Sequence, residues 1–211
     1  GKNLVGAFYQ PRMVLADVES LESLPERERA AGWSEAIKHG LILNADLFQT
    51  FEDHSEAITN LDQPLTSDVV RRSMAVKADV VTRDERETLG LRILLNYGHT
   101  IGHGLETATE YGALLHGEAV AIGMTAAVRI SRSMGLIDDE VVSRQDKVLK
   151  LYGLPTRIPG ADRGAIRRAM GVDKKKTDGN IRWVLLEGIG YAVTRNDVPE
   201  ELVQAAIAEV T

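Results

Sequence analysis

One stretch of the chain, residues 117–134, is apolar around most of a helical circumference. A surface helix carries a single apolar stripe, whereas a helix that is apolar on nearly every side lies at the centre of a domain. Other elements of the chain must therefore surround this helix. With 211 residues, 44% of them hydrophobic and 27% charged, the chain is long enough to form one globular domain with its own core.

The hydrophobic periodicity predicts several amphipathic helices around this centre. They span residues 25–39, 44–58, 67–84, 138–152, 161–170 and 199–210. Only near the end does the period change, where residues 181–186 and 190–194 predict a β-hairpin that turns at 187–189. We therefore predict a mainly α, multihelical domain over residues 1–211, with a small β-hairpin near the carboxyl terminus.

The first 26 residues give three further expectations. Residues 1–11 carry no helix start signal and are predicted to be a loop that continues from an upstream segment of a longer protein. Residues 13–17 form a short candidate strand. Ser23 stands three residues before Glu26, with Pro25 between them, which is the spacing of a capping box at the start of the first long helix.

Composition excludes several classes of function. The net charge is −6 and the basic residues are scattered among acids, so no surface for nucleic acid is predicted. No run of 18 apolar residues predicts a membrane span. The amino-terminal residues do not resemble a secretory signal, and we expect a cytoplasmic protein. The chain has no Cys, which leaves His, Asp and Glu as the strong metal ligands.

Three histidines form a candidate metal site. His99 and His103 are four residues apart, so on a helix they share one face and can address one point, to which His116 can return. His116 directly precedes the long apolar helix, whose positive dipole end favours the neutral imidazole that a metal requires. The alternative is a tight helix contact that contains hydrogen-bonded core histidines.

Glycines surround the histidine pair at positions 98, 102 and 104. Each Gly inside a helix costs about 1 kcal/mol relative to Ala, so three of them need a compensating interaction. We expect the close approach of another backbone, or of a ligand, at these positions.

A cation bound by two neutral imidazoles usually has an anionic third ligand. Composition does not decide which carboxylate this is. Glu35 is a candidate because it lies in a mostly small and apolar stretch, residues 31–38, where an unpaired acid is costly to bury. The alternative is a surface Glu35 that pairs with Lys38 or His39 at helical spacing.

Five segments of the chain, taken in order, resemble 3-dehydroquinate synthase. They are GKNLVGAFYQP (1–11), LPERE (24–28), EAIKHG (35–40), LNYGHTIGH (95–103) and HGEAVAIGM (116–124). The resemblance covers essentially the whole chain, but only the carboxy-terminal, metal-binding half of that enzyme. It implies the second, mainly helical domain of a dehydroquinate synthase-like fold.

The resemblance also implies what this half lacks. The family enzyme has an amino-terminal α/β domain that holds most of the NAD, with the active site in the cleft between the two domains. No strand, Gly-rich turn and helix of the kind that cradles a pyrophosphate is predicted in this chain. We therefore expect its partners to be its own amino-terminal domain and a second copy in a homodimer, and we expect no turnover from the chain alone.

By resemblance, the reaction converts 3-deoxy-D-arabino-heptulosonate 7-phosphate to 3-dehydroquinate and phosphate, a step of the shikimate pathway to chorismate and the aromatic amino acids. Glu35, His99 and His116 match the ligands of the family's zinc, in whose place cobalt also serves. His103 matches a residue that helps proton movement at the substrate. The residues matched to binding of the sugar phosphate are Lys38, Lys77, Arg92, Asn96 and one of Lys174 and Lys175. The residues matched to the surroundings of NAD are Lys2, Asn3, Ser20, Leu21, Glu22 and Ser23.

Some of these residues have simpler interpretations. Lys77 and Arg92 are also compatible with solvated helix positions, and residues 174–176 with an exposed turn. Glu87 stands one residue further from Arg92 than in many family members, so the resemblance assigns it no role. His39 and His54 are interpreted as surface or helix-packing residues, and Trp33 and Trp183 as core or interface.

Three hypotheses about function remain. The first is the metal-binding half of 3-dehydroquinate synthase. The second is a related sugar-phosphate cyclase, a 2-deoxy-scyllo-inosose or 2-epi-5-epi-valiolone synthase. The third is a non-catalytic remnant of the fold, which the presence of His99 and His116 argues against.

Overall fold

The computed structural model describes residues 5–6, 9–109, 112–174 and 181–211, with the backbone alone at 172–174. Within these ranges the α-helices are α1 (Glu26–Leu43), α2 (Ala45–Asp53), α3 (Ser55–Thr59), α4 (Leu65–Arg83), α5 (His99–Ala108), α6 (His116–Ser133), α7 (Asp139–Leu151), α8 (Arg163–Lys174) and α9 (Glu200–Val210). Two 3-10 helices, Val18–Ser23 and Arg92–Asn96, precede α1 and α5. The strands are β1 (Trp183–Gly188) and β2 (Tyr191–Arg195).

Helix α6 is the centre of the domain, as its composition predicts. It contacts α1, α5, α7, α9 and β1. Every residue from Gly117 to Val128 is buried, although a surface helix would expose one side. None of the helices in the described part of the chain is long and apolar enough to cross a membrane.

The helix that carries Glu35 is longer than predicted. The expected helix at 25–39 continues as α1 to Leu43, because Gly40 does not end it. A Cβ at Gly40 would lie 2.8 Å from the backbone nitrogen of Phe48, so this glycine allows α1 and α2 to pack closely. Asn44 then ends α1 and caps α2, where its side chain accepts a hydrogen bond from the Leu47 N–H at 2.9 Å.

The single helix expected at 44–58 is two helices, since α2 ends at Asp53 and α3 begins at Ser55. His54 between them has backbone angles of φ −124° and ψ 29°, outside the helical range. Helix α4 agrees with the expected 67–84 to within two residues at its start and one at its end.

The strand expected at 13–17 is wrong. Residues 13–17 adopt no regular secondary structure, and the exposed fractions of Met13, Val14 and Leu15 are 79%, 65% and 84%. A strand is stable only when it pairs with another, and in the described part of the chain the sheet consists of β1 and β2 alone.

The capping box expected at Ser23 is also absent. Helix α1 begins at Glu26 after Pro25, and no side chain caps it. The hydroxyl of Ser23 instead donates a hydrogen bond to the carbonyl of Ser20 at 2.9 Å, inside the preceding 3-10 helix. Ser23 ends the 3-10 helix, and Pro25 rather than Ser23 holds the N-cap position of α1, so Ser23 and Glu26 do not form the box.

The β-hairpin is confirmed, but its turn lies at 189–190 rather than at 187–189. Strands β1 and β2 pair antiparallel, with Trp183 opposite Arg195 and Leu185 opposite Val193. The four consecutive residues 183–186 are all buried, because β1 packs against the central helix. The backbone N–H of Leu186 donates a hydrogen bond to the hydroxyl of Ser131 on α6. Trp33 and Trp183 are both core residues, as predicted.

Candidate metal centre and anion pocket

A cavity of about 590 Å³ opens between α1, α4, α5 and the 3-10 helix Arg92–Asn96. Most of the side chains that line it are polar or charged. They include Glu35, Lys38, His39, Lys77, Asp84, Glu87, Arg92, Asn96, His99, Thr100, His103 and Arg182. Seven of the residues predicted for the site therefore meet in one cleft, together with His39.

The three predicted metal ligands converge at one side of this cavity. The Oε1 atom of Glu35 lies 3.6 Å from Nε2 of His99 and 3.9 Å from Nε2 of His116. The ligand atoms of all three residues lie within 4.8 Å of one another. One divalent cation can therefore contact all three.

A glycine contact between α1 and α6 brings Glu35 and His116 together. A Cβ at Gly117 would lie 1.9 Å from the carbonyl oxygen of Ala31, so only glycine allows the two backbones to approach this closely. Ala31 precedes Glu35 by one helical turn and Gly117 directly follows His116. The close contact therefore fixes the separation of the two ligands.

A second glycine contact, between α5 and α6, places His99. A Cβ at Gly123 would lie 1.9 Å from the carbonyl oxygen of Gly98, and Gly98 itself adopts a left-handed φ of 80°. Gly102 faces Ala119 in the same interface, at 3.1 Å from its would-be Cβ, while Gly104 faces Ile166 of α8 at 3.1 Å. The expected close approach of another backbone is thus confirmed at the glycines around the histidine pair.

Hydrogen bonds orient the two imidazoles. Nδ1 of His99 donates to the carbonyl oxygen of Tyr97 at 3.3 Å, and since a carbonyl can only accept, this bond leaves the lone pair on Nε2. Nδ1 of His116 lies 3.0 Å from a carboxylate oxygen of Glu106. Nε2 of each ring therefore faces Glu35, and a bond at Nδ1 fixes the orientation of each ring.

Glu106 is the residue of this centre that the sequence reasoning missed. A carboxylate that accepts a hydrogen bond from a metal-binding histidine fixes its ring and raises its basicity. Its position contains a signal, because Glu106 follows His99 by seven residues and His103 by three, which places all three on one face of α5. Glu106 also forms a second possible ligand group with His103 and His116.

Burial controls the charge of His99. Desolvation by burial, with a smaller contribution from the nearby ammonium of Lys38, lowers its pKa to about 3 against the opposing effect of Glu35. His99 is consequently neutral near pH 7, as a metal ligand must be.

Glu35 combines both interpretations that the sequence left open. Its Oε2 accepts a hydrogen bond from Nζ of the buried Lys38 at 2.7 Å, which is the pairing at helical spacing. Burial alone raises the pKa of Glu35, but Lys38 outweighs it and the net pKa is lowered. Its Oε1 is buried and accepts no hydrogen bond from the residues described. A buried carboxylate oxygen without a partner is costly, and a divalent cation between it and two imidazole lone pairs fits this position.

Another wall of the cavity carries two of the predicted cations, Lys77 and Arg92. Lys77 is exposed on α4, and Arg92 begins the 3-10 helix that also contains Asn96. Nε of Arg92 lies 3.2 Å from a carboxylate oxygen of Glu87, and its Nη1 donates to the carbonyl of Glu85 at 3.2 Å. Lys77 and Arg92 are therefore neither buried nor remote: both are solvated and both line the cavity.

Asp84 supports the loop between these two cations. Its carboxylate accepts hydrogen bonds from the backbone N–H groups of Leu89, Leu91 and Arg92 at 2.8 to 3.1 Å. These bonds lower the pKa of Asp84. The carboxylate therefore connects the end of α4 to the start of the 3-10 helix.

His39 links the two walls. Its Nδ1 lies 2.8 Å from the hydroxyl of Ser73, one turn before Lys77 on α4. Burial, with a contribution from Lys38, lowers the pKa of His39 to about 4. The predicted packing role fits this arrangement, although His39 also lines the cavity.

The remaining predicted residues lie elsewhere. Ser20, Leu21, Glu22 and Ser23 belong to the 3-10 helix that packs against α4, and they do not line the cavity. Lys174 is the last residue of α8, and its side chain is not among those described. Lys2, Asn3 and Lys175 lie outside the described residues.

Comparison with family models covers the chain in two parts. Residues 32–176 match the family described as 3-dehydroquinate synthase C-terminal. Residues 1–31 match the family described as 3-dehydroquinate synthase N-terminal.

Curated relatives extend the match. A 3-dehydroquinate synthase of Nitrosospira multiformis is 44% identical over 211 residues, which are 100% of this chain and 57% of that protein. A 3-dehydroquinate synthase of Acidithiobacillus ferrooxidans is 47% identical over 94% of this chain and 54% of that protein. The chain thus spans somewhat more than half the length of the curated relatives it matches.

Solved structures share the fold. The 2-epi-5-epi-valiolone synthase of Streptomyces hygroscopicus subsp. jinggangensis, with NAD+ and Zn2+ bound, matches with a TM-score of 0.88 and 28% identity over 99% of this chain and 58% of that one. A 2-deoxy-scyllo-inosose synthase complexed with carbaglucose-6-phosphate, NAD+ and Co2+ matches with a TM-score of 0.80 and 32% identity over 100% and 60%. The predicted second domain of a dehydroquinate synthase-like fold is therefore confirmed.

Proposed function

Because the chain belongs to the 3-dehydroquinate synthase family, we propose that it forms the metal- and substrate-binding part of a 3-dehydroquinate synthase. The reaction is the conversion of 3-deoxy-D-arabino-heptulosonate 7-phosphate to 3-dehydroquinate and phosphate, by a lyase of the shikimate pathway in the cytoplasm. The observation that carries the proposal is that His99 and His116 converge on Oε1 of Glu35, a buried carboxylate oxygen that accepts no hydrogen bond from the described part of the chain.

Zinc or cobalt is the cation we propose for Glu35, His99 and His116, because the two related structures hold Zn2+ and Co2+. Such a cation acts as a Lewis acid, which acidifies a bound hydroxyl group and polarises a carbonyl. Two histidines and one carboxylate also leave positions open for substrate oxygens.

Lys38 has two functions in this proposal. Its ammonium holds Oε2 of Glu35 at 2.7 Å and so directs Oε1 towards the two histidines. It also lines the cavity, where a buried positive charge attracts an anionic substrate group.

His103 is the candidate for moving a proton at the substrate. It is exposed at the cavity, and its ring lies 5.3 Å from that of His99 and 6.2 Å from that of His116. An imidazole at this distance from the ligands can hold or release a proton at a substrate oxygen without occupying the metal.

Lys77 and Arg92, with Asn96, bind the anionic groups of the substrate in this proposal. A sugar phosphate with a carboxylate carries two such groups, and the guanidinium of Arg92 can bind either one through two parallel hydrogen bonds. Lys174 or Lys175 completes the set from the end of α8.

The proposal assigns NAD to an amino-terminal α/β domain of the longer protein, with contacts from Lys2, Asn3 and residues 20–23. Two comparisons support NAD, since both related structures contain it. The 211-residue chain alone then has no turnover, and its partners are that domain and a second copy of the protein.

A second candidate is a different sugar-phosphate cyclase. The TM-score of 0.88 with the valiolone synthase favours it, because this structural agreement extends over 99% of the chain. The sequence identity of 44% to a 3-dehydroquinate synthase, against 28% to the valiolone synthase, favours the first candidate.

Two measurements test the proposal. Titration of the chain with Zn2+ or Co2+ detects the metal centre: we expect His99→Ala to abolish binding and the exposed His54→Ala to leave it unchanged. Phosphate release by the full-length protein, assayed with heptulosonate 7-phosphate and with the substrates of the two other cyclases, then identifies the reaction. A wild-type chain that binds neither cation contradicts the proposal and favours a non-catalytic remnant.

A further inference from the structure

Three consecutive residues of α6 meet one stripe of α1. Arg27, Ala31 and Glu35 are four residues apart, so they lie on one face of α1. Arg27 contacts Glu118, Ala31 contacts Gly117, and Glu35 faces His116. We call this line of contacts between α1 and α6 the seam. The metal ligands Glu35 and His116 lie at one end of it, and the ion pair of Arg27 with Glu118 lies at the other end.

The ion pair is bidentate and well anchored. Nε and Nη2 of Arg27 lie 2.6 and 2.7 Å from the two carboxylate oxygens of Glu118. Glu118 is only 8% exposed, and it also accepts a hydrogen bond from the backbone N–H of Leu115 at 2.8 Å. Nη2 of Arg27 additionally donates to the carbonyl of Ala113 at 3.1 Å.

These bonds fix the chain immediately before and after His116. Ala113 and Leu115 precede it, Glu118 follows it, and all three are connected to Arg27 directly or through the Glu118 carboxylate. His116 is the first residue of α6. First turns fray when they are not held, so the position of this ligand depends on what fixes the turn.

We propose that Arg27 is a positioning residue for the metal centre: through Glu118 it holds the first turn of α6 on α1 and so sets the affinity for a divalent cation. Arg27 touches none of the ligands. The inference rests on the proposed metal site. It predicts that loss of the ion pair weakens metal binding more than it weakens the fold, because Glu118 keeps the hydrogen bond from the Leu115 N–H when Arg27 is replaced.

The test compares two bidentate ion pairs between helices. Arg27→Gln removes the pair at the seam, and Arg167→Gln is the matched control, since Arg167 pairs with Glu200 between α8 and α9, which carry no candidate metal ligand. The dissociation constant for Co2+ and the visible absorption of bound Co2+ are measured for each chain, with circular dichroism as the check on folding. We expect roughly 10-fold weaker binding and an altered spectrum for Arg27→Gln, the scale of losing an outer partner of a metal ligand.

Two further variants keep the test decisive if Arg27→Gln folds poorly. Arg27→Lys retains the charge without the bidentate geometry, and we expect partial recovery of affinity. Glu118→Gln combined with Arg27→Gln should weaken Co2+ binding no further than either change alone, because the two residues act as a unit. Binding within twofold of the wild type for Arg27→Gln overturns the inference while the proposed function stands. Failure of the wild-type chain to bind Co2+ overturns the proposed function, and the inference with it.

Discussion

The two walls of the cavity are built differently. On the metal wall, the ligands sit on α1, α5 and α6, whose backbones touch at Gly117 and Gly123 with no space for a Cβ. On the anion wall, Lys77 and Arg92 are long side chains on α4 and on a 3-10 helix, and they reach the cavity from solvated positions.

This difference indicates a division of tasks. A metal site needs its ligands within a few tenths of an ångström, and contacts between backbones provide that precision. An anion needs charge and hydrogen-bond donors at adjustable positions, which flexible Lys and Arg side chains provide. The metal wall should therefore be sensitive to small changes in packing, and the anion wall tolerant of them.

The largest expected effect is on the metal wall. Gly117→Ala places a Cβ only 1.9 Å from the carbonyl oxygen of Ala31, so α1 and α6 must separate. We expect a loss of about 3 kcal/mol in the free energy of unfolding, together with loss of Co2+ binding. Gly32→Ala is the control, on α1 one residue after Ala31, because no neighbouring atom lies within 4 Å of its would-be Cβ, and it should stabilise the chain by about 1 kcal/mol. Urea unfolding of both variants checks the pair; equal stabilities would contradict the rigid wall.

The second effect concerns the pH dependence of stability that is due to His39, which connects the two walls. His39 has a pKa of about 4 in the folded chain against 6.5 for an ordinary histidine, so the unfolded chain binds the extra proton between these values. Its contribution to stability is full above pH 6.5 and falls by about 3 kcal/mol as the pH decreases to 4. Lys38 and Lys77 oppose protonation of His39, and Glu35 favours it.

His39→Gln should therefore flatten the fall of stability between pH 6.5 and 4, although it lowers stability at pH 8 through the altered bond to Ser73. The measurement is urea unfolding across this range with a chelator present, so that bound metal does not add to stability. His54→Gln, at an exposed position, is the control. If the free energy of unfolding fell equally with pH in wild type and in His39→Gln, His39 would not be the group that loses stability on protonation.

The third effect is smaller and again belongs to the metal wall. Glu106→Gln weakens the hydrogen bond that orients His116, and we expect metal affinity to fall roughly 10- to 100-fold with little change in stability. Glu209→Gln, on α9 and outside the cavity, is the control. An affinity equal to that of the wild type would mean that packing alone orients His116.

The same division explains what the sequence could predict. The central helix and the shared face of His99 and His103 follow from spacing, which is local information. Glu35 as a ligand came from the resemblance, because spacing alone left it between a metal and Lys38, and the structure contains both contacts. Glu106 was missed because its meaning depends on His116, which lies ten residues away after a turn.

The errors share a cause. Residues 13–17 have the composition of a strand, but a strand also needs a partner, which local sequence does not reveal. The helix expected at 25–39 continues through Gly40, because the close contact with Phe48 makes glycine favourable inside α1. At these positions tertiary contacts override the local signal.

The smallest effect we predict is on the anion wall. Asp84→Asn replaces a carboxylate that accepts three backbone hydrogen bonds with an amide that has one acceptor oxygen. The loop that carries Arg92 then loosens, but the guanidinium keeps its own contacts to Glu85 and Glu87. We expect binding of inorganic phosphate to weaken by roughly two- to tenfold, the scale of one hydrogen bond.

Affinity for Co2+ should stay at the wild-type value in Asp84→Asn, because Asp84 contacts neither the metal ligands nor the close helix contacts at Gly117 and Gly123. Asp79→Asn is the control, since Asp79 pairs with Arg83 on the same helix but does not line the cavity. Phosphate and Co2+ titrations of the same two chains separate the walls directly. If Asp84→Asn weakened Co2+ binding as much as phosphate binding, the two walls would move as one unit, because only a rigid connection could transmit a change in the loop to ligands held by backbone contacts.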